Sequence, residues 1–237
     1  MKVAVITPYY KEPIETLRRC HDSVAGQTHP CTHVMVADGY AVPELADWPV
    51  DHIVLTRAHG DVGNTPRSIG AISALNRGFD AIAYLDADNW YHPEHIESLV
   101  QTVRTTGVPM AVSERFIVAL DGTIMNIQEA IDPDFADTSS ILHTAQAARL
   151  IPMWAMMPTN LGVMGDRVFM AIANLLRIPR ARTGRKTLYY ESNYAIHYHH
   201  AGLPQPADPR WLDMPEVLKT LSPIECVERL GFPLVPQ

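Results

Sequence analysis

Cysteine is scarce in this sequence: Cys20, Cys31 and Cys226 are its whole complement among 237 residues. Three scattered thiols cannot frame a disulfide-stapled secreted domain, which points to a reducing compartment and, by default, the cytoplasm. No apolar run approaches the roughly 20 residues that cross a bilayer, so no transmembrane segment is expected. The opening MKVAVITPYY holds too short an apolar stretch for a signal peptide. A basic stripe is also missing. Nineteen Lys and Arg against 26 Asp and Glu leave a net charge of −7, which argues against a dedicated nucleic-acid binder, since such proteins neutralise phosphates with a positive surface. An anionic ligand would need its charge met locally, by a metal or a few basic groups. With 47% hydrophobic and 19% charged residues, and neither repeat nor low-complexity tract, the chain can bury an ordinary core.

What is present alternates. Val3–Ile6 is a short apolar run stopped by Thr7-Pro8, and His33–Ala37, His52–Leu55 and Ala81–Leu85 are three more. Between them Ile14, Leu17 and Val24 recur at helical spacing, as do Ile69, Ile72 and Leu75, while Pro93 opens a helix toward Arg104. Strand, helix, strand with runs apolar on both faces predicts an α/β fold, a mostly parallel sheet flanked by helices. The second half is less regular. Met110–Val118 and Ile124–Ile127 flank Asp121-Gly122 as a hairpin would; Ser139–Leu150 reads as a capped helix; Gly165-Asp166 opens another helix; Thr187–Tyr198 alternates as a strand. From Leu203 on, 7 of the 19 prolines fall within 35 residues, predicting an arm with short helices near Glu216 and Glu225.

In open α/β sheets ligands gather at the carboxyl ends of the strands. Thr7–Glu12, Asp38-Gly39 and Asp86–Asp88 all stand there. In extended chain, residues two apart project to one side, so Asp86 and Asp88 together offer hard oxygen ligands suited to Mg²⁺ or Mn²⁺. A solvated acidic turn would look the same. Asp38-Gly39 also reads as a turn, Arg67 as a surface charge, and Asp166 as a first-turn helix acid.

TPYYKEP after the first strand, ADGY after the second, PRSIGAISALNRGFDAIAYLDAD through the fourth and GDRVFMAI later resemble the family-2 glycosyltransferases of the GT-A fold. The ordered set covers roughly residues 2–200. The resemblance implies a Rossmann-like GT-A catalytic domain over 1–202, with a nucleotide-binding half (1–107), a less regular acceptor-binding half (108–202) and a C-terminal arm (203–237). It implies a nucleotide-diphospho-sugar donor, UDP by family frequency, held by Pro8, Tyr9 and Glu12 in the first loop, Asp38 at the base, Arg67 near the diphosphate, and Asp86 and Ala87 toward the ribose and sugar. Asp88 falls to the metal, Mn²⁺ or Mg²⁺. Asp166 falls to the general base of an inverting transfer to a sugar, glycolipid or protein acceptor. Gly165 departs from the family, which usually carries an acid there. Imidazole also ligates Mn²⁺, and many relatives have a late histidine, so His197 and His199, expected on one strand face, are candidates to complete the metal site. The same histidine cluster would serve a subunit contact in a homo-oligomer. The Met-rich Ile151–Met170 segment suggests an acceptor surface with Trp154 against the acceptor, or simply core. Two other readings remain at this level: a sugar-nucleotidyltransferase, disfavoured by a first loop without glycine, and a non-catalytic nucleotide-sugar-binding relative.

Overall fold

The computed structural model describes residues 1–129, 131–157, 159 and 164–211. The predicted short helices near Glu216 and Glu225 lie outside them. The first half follows the apolar runs: β1 (Val3–Tyr9), α1 (Ile14–Ala25), β2 (Cys31–Ala37), β3 (Asp51–Val54), α2 (Asn64–Asn76), β4 (Ala81–Tyr84), β5 (Trp90–Tyr91) and α3 (His95–Thr106). Then come β6 (Met110–Val118), β7 (Ile124–Met125), β8 (Ile141–Thr144), α4 (Ile151–Met156), α5 (Gly165–Leu175), β9 (Arg180–Glu191) and α6 (Ala195–Ala201). Among the described residues no helix is long and apolar enough to cross a membrane.

One sheet takes all nine strands in the order β3-β2-β1-β4-β8-β6-β9-β5, with β7 on β6. The strands β3, β2, β1 and β4 are parallel. Beyond them direction is mixed, since β8 is antiparallel to both β4 and β6, β9 is parallel to β6, and β5 is antiparallel to β9. The parallel strands are apolar throughout because both faces are covered. Ala4 and Ile6 join Val34, Val36, Ala71 and Phe169 on one side. Val3 and Val5, pointing the other way, join Cys20, Ile96, Leu99 and Val103. Gly70 lets α2 lie against the sheet: a Cβ there would stand 2.7 Å from Ile6 Cγ2 and 2.8 Å from Val36 Cγ2.

Two expectations for the second half are corrected. Ser139–Leu150 is not a continuous helix, since Ile141–Thr144 inserts as β8 in the middle of the sheet, between 3-10 turns at Thr138–Ser140 and Ala145–Leu150. Ile141 and Leu142 bury on opposite faces, which is strand periodicity. The strand expected over Thr187–Tyr198 starts at Arg180 and ends at Glu191, and the histidines that follow are helical. Its pairing with β6 jumps from Arg182 to Lys186, around Gly184 at φ +69°, so local alternation obscured its first half.

Candidate active site

A cleft of about 580 Å³ opens over the carboxyl ends of β1, β2 and β4. It is lined by Pro8 and Tyr9 at the end of β1 and Glu12 from the loop after it, by Asp38 after β2, by Arg67 from α2, by Asp86, Ala87 and Asp88 after β4, and by Asp166 from the first turn of α5. Residues far apart in sequence therefore meet in one space. The first loop is pinned, with the Tyr10 N–H donating to Glu12 Oε2 at 2.6 Å. The Tyr9 ring is 2% exposed, stacked on His52 with its hydroxyl 2.7 Å from His52 Nε2; the neighbouring Tyr10 is the open aromatic on the cleft.

The Arg67 guanidinium is buried and held on three sides. Its Nη2 donates to Asp86 Oδ1 at 2.6 Å, its Nη1 to Asn64 Oδ1 at 2.8 Å, and Trp154 lies beneath it with the ring centroid 4.8 Å away. A charged fork fixed this way is preorganised for an anion without first losing side-chain freedom. Gly63, at φ +80°, lets the loop before α2 approach: a Cβ would lie 2.9 Å from Pro8 Cγ. Asp38 is fixed in turn by His59, whose backbone N–H reaches both carboxylate oxygens at 3.1 and 3.0 Å and whose Nδ1 lies 2.7 Å from Oδ1. A carboxylate has about four acceptor positions, so it can still take a bond from a ligand N–H.

Asp88 is an exposed residue on the cleft. Desolvation by the protein around it, then the Asp86 and Glu191 carboxylates, holds its carboxyl above the usual carboxylate range. The donor set fits a hard divalent cation of the Mg²⁺ or Mn²⁺ kind. Such an ion takes one or two protein carboxylates and fills its other positions with water and phosphate oxygens, and positive charge here would relieve the crowding of like charges. Among the described residues no group of three or more His, Cys, Asp or Glu side chains is arranged to hold a metal, so the protein's share would be that small one.

Asp166 stands across the cleft. Burial first, then the nearby Asp137, pushes its carboxyl up to about 7, although the Arg167 N–H donates to its Oδ1 at 2.7 Å. Asp137 itself is buried, accepts from Arg115 Nη1 at 2.7 Å and from the Ser139 N–H at 2.8 Å, and lines the same cleft. The Ser139 hydroxyl accepts from the Asp86 N–H at 3.0 Å and from Asn89 Nδ2 at 3.1 Å. The turn after β4 is thus clamped by the segment before β8. The space before Asp166 is close: a Cβ at Gly165 would sit 3.2 Å from Asn64 Oδ1 and 3.5 Å from the Trp154 ring, so a side chain there would press on the residue that holds Arg67.

Three expected residues are not in the cleft. Trp154 has no exposed surface: it stacks on Phe169 at 4.3 Å and meets Tyr84 edge-on at 5.5 Å. An acceptor cannot lie against it, and its contact with the site is through Arg67. His197 and His199 belong to α6, where residues two apart point roughly 200° apart, so the shared strand face does not exist. His197 Nδ1 is 2.7 Å from Ser192 Oγ, and His199 is exposed. Neither meets Asp88 in a metal cluster. The sequence reading missed Asp137, Asn64, Tyr190, Tyr194 and Arg210, all on the cleft wall. Only Asp137 carried a signal, an Asp two residues before Ser139, the spacing of a side-chain cap.

No curated protein matches the sequence. The structure of S. aureus TarS 1-349 in complex with UDP is similar with a TM-score of 0.61 at 14% identity, over 85% of this chain and 63% of that one. TarS 1-349 in complex with UDP-GlcNAc gives 0.60 at 14%, over 87% and 62%. The chain therefore spans less than two thirds of those TarS chains, and at such identity the likeness is one of fold, which is GT-A. The family described as Glycosyl transferase family 2 matches residues 4–153. That match extends over more than half of the sequence, and the chain belongs to glycosyl transferase family 2.

Proposed function

We propose that this protein moves a sugar from a nucleotide-diphospho-sugar, a UDP-sugar first, to an acceptor hydroxyl with inversion at the anomeric carbon, and that it works with a divalent cation. The observation that carries this reading is the single cleft in which Asp38, Arg67, Asp86, Asp88 and Asp166 converge at strand ends. UDP is favoured because TarS, similar in fold, has been crystallised with UDP and with UDP-GlcNAc.

In this reading Asp38 accepts a hydrogen bond from the base, the loop of Pro8, Tyr9 and Glu12 borders the nucleoside, and Arg67, fixed by Asp86 and Asn64, faces the diphosphate. Asp88, with Asp86 beside it, would hold Mn²⁺ or Mg²⁺, which when bound supplies positive charge to the leaving diphosphate. Asp166 takes the proton of the acceptor hydroxyl. The freed oxygen pair forms the new bond to C1 as the C1–O bond to the diphosphate breaks on the opposite face, and that bond's electron pair departs with the nucleoside diphosphate. A carboxyl pushed up to about 7 suits this task, since general bases work best with a pKa near the working pH. Holding both reactants in one cleft adds the proximity term.

Calorimetry with UDP, with and without Mn²⁺, followed by UDP release from UDP-GlcNAc and UDP-glucose, tests the reading. Metal-enhanced UDP binding and slow sugar release are expected. A requirement for a nucleoside triphosphate would make the protein a nucleotidyltransferase; binding without turnover of any nucleotide-sugar would make it a binding relative.

A further inference from the structure

Asp38 reaches the cleft with most of its hydrogen-bonding capacity already spent. Its side chain is 8% exposed, and the residue against it is His59, in the loop after β3. Ala58 and Gly60 line the cleft, while the ring of His59 between them is turned onto Asp38. The His59 backbone N–H is shared between the two carboxylate oxygens, at 3.1 Å from Oδ1 and 3.0 Å from Oδ2, and its Nδ1 stands 2.7 Å from Oδ1. A carboxylate only accepts, so the Nδ1 hydrogen points at Oδ1. The loops after β2 and β3 meet backbone to backbone: at Gly39, φ +84°, a Cβ would lie 2.6 Å from the Arg57 carbonyl carbon. That contact keeps His59 against Asp38.

What remains on Asp38 selects a ligand. Each carboxylate oxygen has about two acceptor positions. His59 occupies both on Oδ1 and one on Oδ2, and no other group among the described residues donates to the Asp38 side chain. A single position is left, on Oδ2. Uracil and thymine present a single ring N–H, at N3 between two carbonyl groups, and match it. Guanine presents two donors side by side, N1–H and the 2-amino group, and needs both oxygens. Cytosine and adenine present an amino group beside a bare ring nitrogen, whose lone pair would face the carboxylate. A site built around one hydrogen bond rejects partners that leave its buried polar groups mismatched.

We propose that His59 is the positioning residue that sets base specificity: by filling Oδ1 it leaves Asp38 one acceptor, so that the nucleotide taken is one of an imide pyrimidine, uracil or thymine. This rests on the transferase reading, in which Asp38 meets the base. The preference for UDP then has a side chain behind it, besides the likeness of fold to TarS. His59 acts only through Asp38 and touches no part of the donor.

Calorimetry on the full chain with Mn²⁺ tests it, with UDP, GDP, CDP, ADP and N3-methyl-UDP as ligands and with wild type, His59→Ala and His59→Asn as proteins. Alanine removes the Nδ1 donor and keeps the backbone one, whereas the asparagine amide nitrogen can stand where Nδ1 stood. Wild type should bind UDP about tenfold or more tighter than any of the other four, the worth of one hydrogen bond to a charged group. His59→Ala should free Oδ1 and narrow the ratio of UDP to GDP affinity about tenfold, and His59→Asn should keep that ratio near wild type. A mere loosening of the loop would weaken both nucleotides alike and leave the ratio in place. GDP or N3-methyl-UDP bound by wild type as tightly as UDP, a ratio unmoved by His59→Ala, or His59→Asn indistinguishable from His59→Ala would overturn the assignment while UDP binding stands. Should His59→Ala fail to fold, the wild-type series still decides, because N3-methyl-UDP lacks the one hydrogen that Oδ2 would accept. A wild type that binds none of the five removes the transferase reading, and the role of His59 with it.

Discussion

On one side of the sheet β3, β2, β1 and β4 run parallel, and the acids of the cleft, Glu12, Asp38, Asp86 and Asp88, stand just after strand ends, with Arg67 and Asn64 added from α2. On the other side β8, β6, β9 and β5 are mixed in direction, and the cleft takes Asp137 from a 3-10 cap, Asp166 from a helix's first turn and Tyr190 from within a strand. A parallel sheet puts every loop that follows a strand on one edge, so ligand groups gather there without special signals. A mixed sheet sends loops to both edges, and a residue reaches the cleft only through long-range packing.

The sharpest way to break that contrast is at the seam between the sides. Trp154 of α4 lies under Arg67 of α2 and stacks on Phe169 of α5. Deleting a fully buried large aromatic costs about 3–5 kcal/mol. Trp154→Ala should therefore lower the urea midpoint by that equivalent and also weaken UDP binding, since Arg67 loses its support. A variant as stable as wild type would mean that the seam does not couple the halves.

Next in size is Asp166→Asn. Removing a general base costs about a hundredfold or more in turnover, and UDP affinity should be retained because the donor groups belong to the parallel side. In the wild-type enzyme the carboxyl must be ionised to act. With its pKa pushed up to about 7, kcat/KM should fall about tenfold per unit as pH drops below 7, and Asp166→Asn should lose that limb. Turnover near the wild-type level would remove Asp166 from the chemistry.

These expectations also show how far the sequence could be read. The runs Val3–Ile6, His33–Ala37 and Ala81–Leu85 are apolar at every or nearly every position because both faces of those strands are covered, and the polar residues after them could be placed at strand ends by inspection. In the other half β8 has four residues, one of them His143, whose Nε2 lies 2.8 Å from the Tyr84 hydroxyl. Its polarity is satisfied by a partner 59 positions away, which no window of sequence displays. Trp154 looked like an acceptor platform for the same reason: only the fold shows Phe169 and Tyr84 closing over it. Asp166 is legible as a residue and as a helix start, whereas its raised pKa comes first from burial by the fold and then from Asp137, neither of which anything local displays.

A smaller effect separates the sides by pH. His33, fully enclosed between β2 and α1, has Nδ1 3.0 Å from Nδ1 of His21 and Nε2 2.8 Å from Thr7 Oγ1, an arrangement that excludes protonation of both rings at once. Burial, then His21, pushes its pKa down to about 3. The unfolded chain takes its proton near 6.5, so the stability His33 carries is whole above that pH and is lost toward pH 3 at about 1.4 kcal/mol per unit. His95 and His143, lowered to about 3 and about 4, act in the same sense. Asp166, raised, acts in the opposite one, its contribution fading as pH rises through 7. Between pH 6.5 and 5, His33→Gln should lose about 2 kcal/mol less than wild type in urea unfolding. Parallel losses would mean that His33 is protonated in the fold.

The smallest effect is decided by its sign. Replacing glycine with alanine inside an exposed helix stabilises by about 1 kcal/mol, and Gly70 lies in the middle of α2, where propensity alone predicts a gain. Its missing side chain, however, faces the sheet: a new Cβ would stand 2.7 Å from Ile6 and 2.8 Å from Val36, both branched and fully buried residues with no room to move aside. Overpacking of that kind costs about 1–3 kcal/mol, so Gly70→Ala should be net destabilising by roughly 1 kcal/mol and should shift Arg67, one turn earlier on the same helix. Calorimetric melting together with UDP titration would register both changes. A stabilised variant with unaltered UDP binding would show that α2 can rise off the sheet, and that the close approach on the parallel side is not what fixes the arginine over the cleft.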